Sequence, residues 1–236
     1  MARRPKPIIA IDGPAGAGKS TLARRVADSL GFVLLDTGAL YRAVALAAHR
    51  GGVAFDDAAR ATALAEDLVR RSAIVLTSKA GGGTVVSLDG EDVSQAIRTP
   101  LIAMGASTVS AHPGVRKALL DLQRQAGAQG GIVAEGRDIG TVVFPDAEYK
   151  FFLTASPEVR ARRRYDELAA LGKAEGLTYE STLEEVKRRD AQDSSRVVAP
   201  LRPAEDARLL ESSEMGIDQV VERVLGDVAG SQRSPG

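Results

Sequence analysis

The 236-residue sequence has no cysteine and no asparagine, and only two histidines, His49 and His112. Without cysteine there are no disulfides, thiolate metal sites or cysteine nucleophiles, which fits a reducing, cytoplasmic setting. Two histidines cannot form a three-histidine metal site and leave few candidates for a Ser-His-Asp triad. Neither has a partner pattern, and both are read as structural. Charge of one sign is also missing: 31 basic residues face 31 acidic ones. A net charge of zero gives no electrostatic basis for nonspecific nucleic-acid or membrane binding, so any basic site must be local. No apolar run approaches the ~18–20 residues of a membrane helix. The start, "MARRPKP", has no long apolar segment behind it, so no secretory signal is expected.

What is present describes a globular chain. Hydrophobic residues make up 44% and charged residues 26%, enough for a sizeable core in one domain with an insertion or in two small domains. Ile8–Ile11 reads as a buried strand, 19–30 as a helix with Leu22, Val26 and Leu30 on one face, "FVLLD" (32–36) as a second buried strand, and 37–50 and 57–71 as helices. Two β-rich runs around Gly81-Gly82-Gly83 then predict a hairpin within 72–99. Helical segments follow at about 100–127, then strands at 131–138 and 148–155, helices at 157–171 and 181–193, a weaker strand at 207–212 and a last helix at about 216–229. Strands alternating with helices imply an α/β fold: a three-layer core with a parallel sheet covered on both faces, plus a small β-rich lobe.

The strongest local signal is Gly13-Pro14-Ala15-Gly16-Ala17-Gly18-Lys19-Ser20, which fits the phosphate-loop pattern G-x-x-x-x-G-K-[ST] between a strand and a helix. Its glycines let backbone N–H groups reach phosphate oxygens, and the helix N-terminus adds a favourable dipole. Lys19 is placed to contact the β- and γ-phosphates of a nucleoside triphosphate and Ser20 to ligate Mg²⁺. The loop leaves the acceptor open. A GTP-dependent switch would usually read guanine with N-K-x-D, which a chain without asparagine lacks.

Other charged motifs follow predicted strands. In "DTGALYR" (36–42), Thr37 can cap a helix and Arg42 can either lie on the surface or reach a phosphate. In "AEGRD" (134–138), Glu135 sits where an acid ordering Mg²⁺-bound water would lie, and Arg137 and Asp138 either pair with each other or face a ligand. Helix 157–173 carries Arg160, Arg162, Arg163 and Arg164, as a solvated face or as a lid of which at most two arginines face the nucleotide. Arg189, Asp193 and Arg196, at i, i+4 and i+7, would share a helix face.

With "IAIDGPAGAGKST", "LLDTGALYR", "EGRDIGTVVFPDA" and "RRDAQDSSRVVAPL" in this order across about 8–228, the chain resembles the bacterial cytidylate kinases. The resemblance implies direct in-line phosphoryl transfer from ATP to CMP or dCMP with Mg²⁺, on a P-loop kinase core with an insert lobe and a helical lid. It implies that Gly13 through Thr21 (Gly13, Pro14, Ala15, Gly16, Ala17, Gly18, Lys19, Ser20 and Thr21) bind ATP, and that Ser20 holds the metal. Lys19, Arg137 and Arg189 would carry catalysis. Thr37, Ser107, Arg116 and Asp138 would meet the base or its surroundings, Arg42 and Arg137 the acceptor phosphate, Arg189 and Asp193 the ribose, and Arg196 the phosphates. The domains would be a first core part at 1–71, the insert at 72–99, then acceptor-lobe helices, second core part and lid (about 157–173) within 100–229, and a disordered tail at 230–236. A cytoplasmic monomer acting on small-molecule nucleotides, without nucleic-acid or membrane partners, is expected.

Overall fold

The structure, a computed structural model, describes residues 4–78, 84–170, 172 and 174–231. The Gly81-Gly82-Gly83 turn, Leu171 and Lys173 of the lid, and residues 232–236 of the tail lie outside them. Among the described residues, eight strands form a five-stranded sheet, in the order β2-β6-β1-β7-β8, and a three-stranded sheet, β3-β4-β5, accompanied by eight α-helices. Parallel ladders join β2 (Val33–Asp36) to β6 (Ile132–Gly136), β1 (Ile8–Asp12) to β7 (Tyr149–Thr154), and β7 to β8 (Arg208–Glu211). The expected α/β architecture, a parallel sheet with flanking helices, is what is found.

The chain divides into two compact units. One comprises Met1–Ile8 and Gly31–Glu135, the other Ile9–Leu30 and Gly136–Gly236. In the first, α2 (Thr37–Arg50) packs on α4 (Pro100–Val109), and α3 (Ala58–Arg70) on α5 (Pro113–Ala126). The alanines of α2 and α3, with Leu40, Leu68, Val109 and Leu119, form an aliphatic core that extends to Val86 and Leu88 of β4 (Thr84–Leu88). Small side chains allow this closeness: a Cβ on Gly105 of α4 would come within 2.6 Å of the Phe55 ring. His112 bonds the Phe55 carbonyl at 2.8 Å.

In the second unit every residue of β1 is buried, as a strand between sheet neighbours requires. Helix α1 (Lys19–Leu30) packs against α8 (Ile217–Ser231), which buries Val220, Val221, Val224 and Val228, and α6 (Pro157–Ala170) packs against α7 (Tyr179–Ser194). Helix α7 opens on a capping box between Thr178 and Ser181.

Several expectations need correction. The second strand is not buried throughout: β2 is an edge strand with Val33 51% exposed, because an edge has a neighbour on one side only. The helical segments expected at about 100–127 are found as two helices, the second starting with Pro113 at a first-turn position. The last helix continues through Gly230 and Ser231, which the tail was expected to include. The antiparallel β3 (Ile74–Ser78) and β4 are joined by a third short strand, β5 (Glu91–Asp92).

Candidate active site

The loop after β1 is shaped by close backbone packing. Gly13 has φ +148°, and a Cβ there would fall 2.0 Å from the Leu153 carbonyl oxygen, so only glycine fits. Lys19, the first residue of α1, is 6% exposed and folds back to donate from Nζ to the Pro14 carbonyl at 2.8 Å. Its ammonium is thus held at the loop beside the N–H-rich start of a helix. Ser20 and Thr21 are exposed on the same first turn. Arg160 of α6 braces the loop: Nη1 donates to the Ala15 carbonyl at 3.1 Å, Nε to the Ala155 carbonyl at 2.8 Å, and both terminal nitrogens to Asp190 at 2.9 and 2.6 Å. It is 3% exposed and fixed, so the arginines of the expected lid divide. Arg162 stacks on Tyr179 with 4.4 Å to the ring centroid, Arg163 donates to the Ser212 carbonyl, and Arg164 pairs with Glu167.

A second cluster in the same unit centres on Asp193, 1% exposed at the end of α7. Its Oδ2 accepts from Arg137 Nε at 2.8 Å and its Oδ1 from Arg196 Nη2 at 2.5 Å. Burial pushes the Asp193 carboxyl up, but Arg137, Arg196 and Arg189 outweigh it and hold the group below its ordinary value. Arg137, left open between pairing with Asp138 and facing a ligand, pairs with Asp193. One reading changes here. Arg196 is not on a shared helix face: α7 stops at Ser194, and Arg196 reaches back from beyond the Ser195 cap.

The first unit holds the remaining candidates. Asp36 caps α2, accepting from the Ala39 N–H at 3.0 Å and from Arg42 Nη2 at 2.7 Å. Thr37 is therefore not the cap; its hydroxyl donates to the Glu135 carbonyl at 2.8 Å and ties α2 to β6. The Nε of Arg42 is buried without a hydrogen-bond partner among the described residues. Arg116 is buried, donates to the Ser110 carbonyl at 3.3 Å, and lies 5.7 Å from the Tyr41 ring centroid. The Ser110 hydroxyl in turn donates to the Ser107 carbonyl at 3.0 Å, so Ser107 and Arg116 meet through Ser110.

Sequence reasoning passed over Asp12, the last residue of β1. It is 3% exposed, and its carboxylate accepts the N–H groups of Ile139 at 2.8 Å and Gly140 at 2.7 Å. Burial raises its carboxyl to about 6; the two N–H groups and Lys19 oppose the rise, and Asp138 adds to it. The available signal was an acid closing the apolar run "IIAID", where an isolated charge would be costly.

A parallel α/β sheet with a glycine loop, a folded-back lysine and a helix start defines a phosphate-binding-loop protein of the nucleotide-kinase type. The particular family follows from comparison with known proteins. The family model described as Cytidylate kinase matches residues 9–229. The chain belongs to the cytidylate kinase family. The cytidylate kinase of Syntrophotalea carbinolica is 56% identical over 226 residues, covering 96% of this chain and 93% of that protein. The cytidylate kinase of Stutzerimonas stutzeri is 49% identical over 227 residues, covering 96% of each chain. A solved structure of an uncharacterised protein from Eubacterium ventriosum has a TM-score of 0.54 at 11% identity, covering 95% of this chain and 99% of that one, a likeness of fold.

A kinase family implies ATP as a substrate and generally a metal ion. Among the described residues no group of three or more His, Cys, Asp or Glu could hold a metal ion. That donor set fits an ion carried mainly by phosphate oxygens and water and touched by one hydroxyl, and Ser20 is exposed at the start of α1 to supply it.

Proposed function

We propose that the chain transfers the γ-phosphoryl group of ATP to the phosphate of CMP and dCMP, giving ADP and CDP or dCDP. An acceptor phosphate oxygen attacks the γ-phosphorus in line, and the bond to the bridging oxygen of the leaving ADP breaks. The acceptor oxygen is already anionic, so no strong general base is required. The observation that carries the reading is the Arg137–Asp193–Arg196 cluster in the same unit as the loop: transfer between two phosphates brings like charges together, and preorganised guanidinium groups offset that repulsion.

Residues Gly13 to Thr21 bind ATP, with Lys19 on its terminal phosphates and Ser20 toward Mg²⁺. When bound, that ion neutralises charge on the β- and γ-phosphates. Arg137 and Arg189 join Lys19 in stabilising the transferring group. Arg42, with its unused Nε, and Arg137 hold the acceptor phosphate, Arg189 and Asp193 meet the ribose, and Arg196 the phosphates. Thr37, Ser107, Arg116 and Asp138 surround the cytosine. An ionised Asp138 accepts from the exocyclic amino group of cytosine and repels the carbonyl of uracil. The 72–99 stretch serves as an insert of the acceptor lobe and 157–173 as a lid. The protein works as a cytoplasmic monomer without nucleic-acid or membrane partners; among the described residues no helix is long and apolar enough to cross a membrane.

The test is ADP release with CMP, dCMP, UMP, AMP and shikimate as acceptors at fixed ATP. The proposal expects CMP and dCMP to be used far better than the other three. Preference for shikimate or AMP would overturn it.

A further inference from the structure

We infer that Asp12 is a positioning residue for Asp138: it caps the turn that Asp138 opens, and so holds the Asp138 carboxylate off that turn for the acceptor base. The inference rests on the proposed reading of Asp138 as the residue that meets cytosine.

An aspartate that opens a helical turn ordinarily swings its own carboxylate round to accept the N–H of the second or third residue of that turn. Asp138 opens such a turn, Ile139–Val143, yet makes no side-chain bond to it. The acceptors come from another strand. Asp12 takes the N–H of Ile139 on one oxygen and that of Gly140 on the other, so the first N–H that Asp138 could cap, that of Gly140, is already taken. The turn itself is one wide π-helical turn, with Val143 N–H bonded to the Asp138 carbonyl at 3.1 Å and Phe144 N–H to the Ile139 carbonyl at 2.7 Å. Such turns are uncommon and often sit at functional sites.

The surroundings support an arrangement selected for this contact. A Cβ on Gly140 would lie 3.4 Å from Asp12 Oδ2 and 3.1 Å from the Lys150 Cδ, so glycine lets strand and turn approach. The charged groups that face Asp12 are Asp138 on the turn, Lys19 on α1 and, beyond Gly140, Lys150 on β7. Lys150 directs its ammonium to the Pro145 carbonyl at 2.6 Å and to Asp206 at 2.9 and 2.7 Å, and the Asp12 charge acts in a nearly dry site. Burial pushes its carboxyl up to about 6. Protonation below that pH converts one oxygen from acceptor to donor, frees an N–H of the turn, and invites Asp138 back to cap it.

The experiment measures kcat/KM for CMP divided by kcat/KM for UMP, at fixed ATP, in wild type, Asp12→Asn, Asp138→Asn and the double variant. The phosphates of the two acceptors titrate alike, so the ratio cancels their ionisation. Asp12→Asn keeps the shape but turns an N–H donor toward one of the two turn N–H groups. The ratio is expected to fall roughly 10-fold or more, with the KM for ATP little changed, as misplacement of a reading group does. In the Asp138→Asn background the same change is expected to add nothing. Wild type itself is expected to lose ratio as pH drops through about 6, which needs no variant to fold. If Asp138→Asn collapses the ratio while Asp12→Asn and the wild-type acid range leave it unmoved, Asp12 is not a positioning residue. An equal rise in the KM for ATP and for CMP would make it a support of the phosphate loop instead. An unchanged ratio in Asp138→Asn would remove the base-reading role itself, and the inference with it.

Discussion

Lys19 and Asp12 stand at the two ends of one eight-residue stretch of chain and answer different problems of charge. On the proposed reading Lys19 places a cation where negative charge develops in transfer, and in this structure its ammonium rests on the Pro14 carbonyl. Lys19→Met keeps the length and removes the charge. It is expected to leave the unfolding temperature near that of wild type and to cut kcat by at least ~10²-fold. Measured turnover close to wild type would contradict the loop's role. The lysine was legible in the sequence because its function is written into a local pattern, G-x-x-x-x-G-K-[ST]. Asp12 and Arg160 were not. Their partners, Ile139 and Gly140 for one, Ala15 and Asp190 for the other, lie far off in sequence and become neighbours only through the sheet and the α6–α7 packing. The Arg137–Asp138 adjacency left two readings open for the same reason: the partner that Arg137 finds, Asp193, is distant in sequence.

At the scale of elements, α7 ends on a buried carboxylate whose ionisation is coupled to folding. Asp193 has its folded-state carboxyl below the ordinary value because Arg137, Arg196 and Arg189 outweigh its burial. Its ionised form is therefore favoured by folding. That contribution is fully present above the unfolded-state value of 3.8 and is lost as pH falls through the lower folded-state value. Asp193→Ala leaves Arg137 and the nearly buried Arg196 without their shared carboxylate, and is expected to cost about 3 kcal/mol or more in urea unfolding at pH 7. Asp193→Asn should cost less, and its deficit relative to wild type should shrink as the pH is lowered below about 3.8. A deficit that is the same at every pH would show that the carboxylate charge is irrelevant there. Asp12 acts with the opposite sign: its raised carboxyl makes stability fall as pH rises from 3.8 toward about 6. Helices and buried strands were read from periodicity, since burial imposes that pattern directly. The π turn, the edge position of β2 and the position of Arg196 two residues beyond its helix were not, because each depends on what packs alongside.

For the whole molecule, the order of strands and helices carried the fold class. The glycine loop pointed to a nucleoside triphosphate, and the family resemblance carried by the four motifs pointed to the kind of acceptor. Neutral net charge and the lack of asparagine removed rival classes early. Which residues of the motifs touch which part of a nucleotide is a matter of assembled geometry, and hence of experiment. The central claim is direct transfer to the phosphate of a cytidine nucleotide. The most direct measurement is to incubate the protein with CMP and ATP labelled in its γ-phosphate and to separate the products. The account predicts the label in the β-phosphate of CDP, appearing in step with ADP. Label in inorganic phosphate alone, or in a product made equally well from UMP, would contradict it.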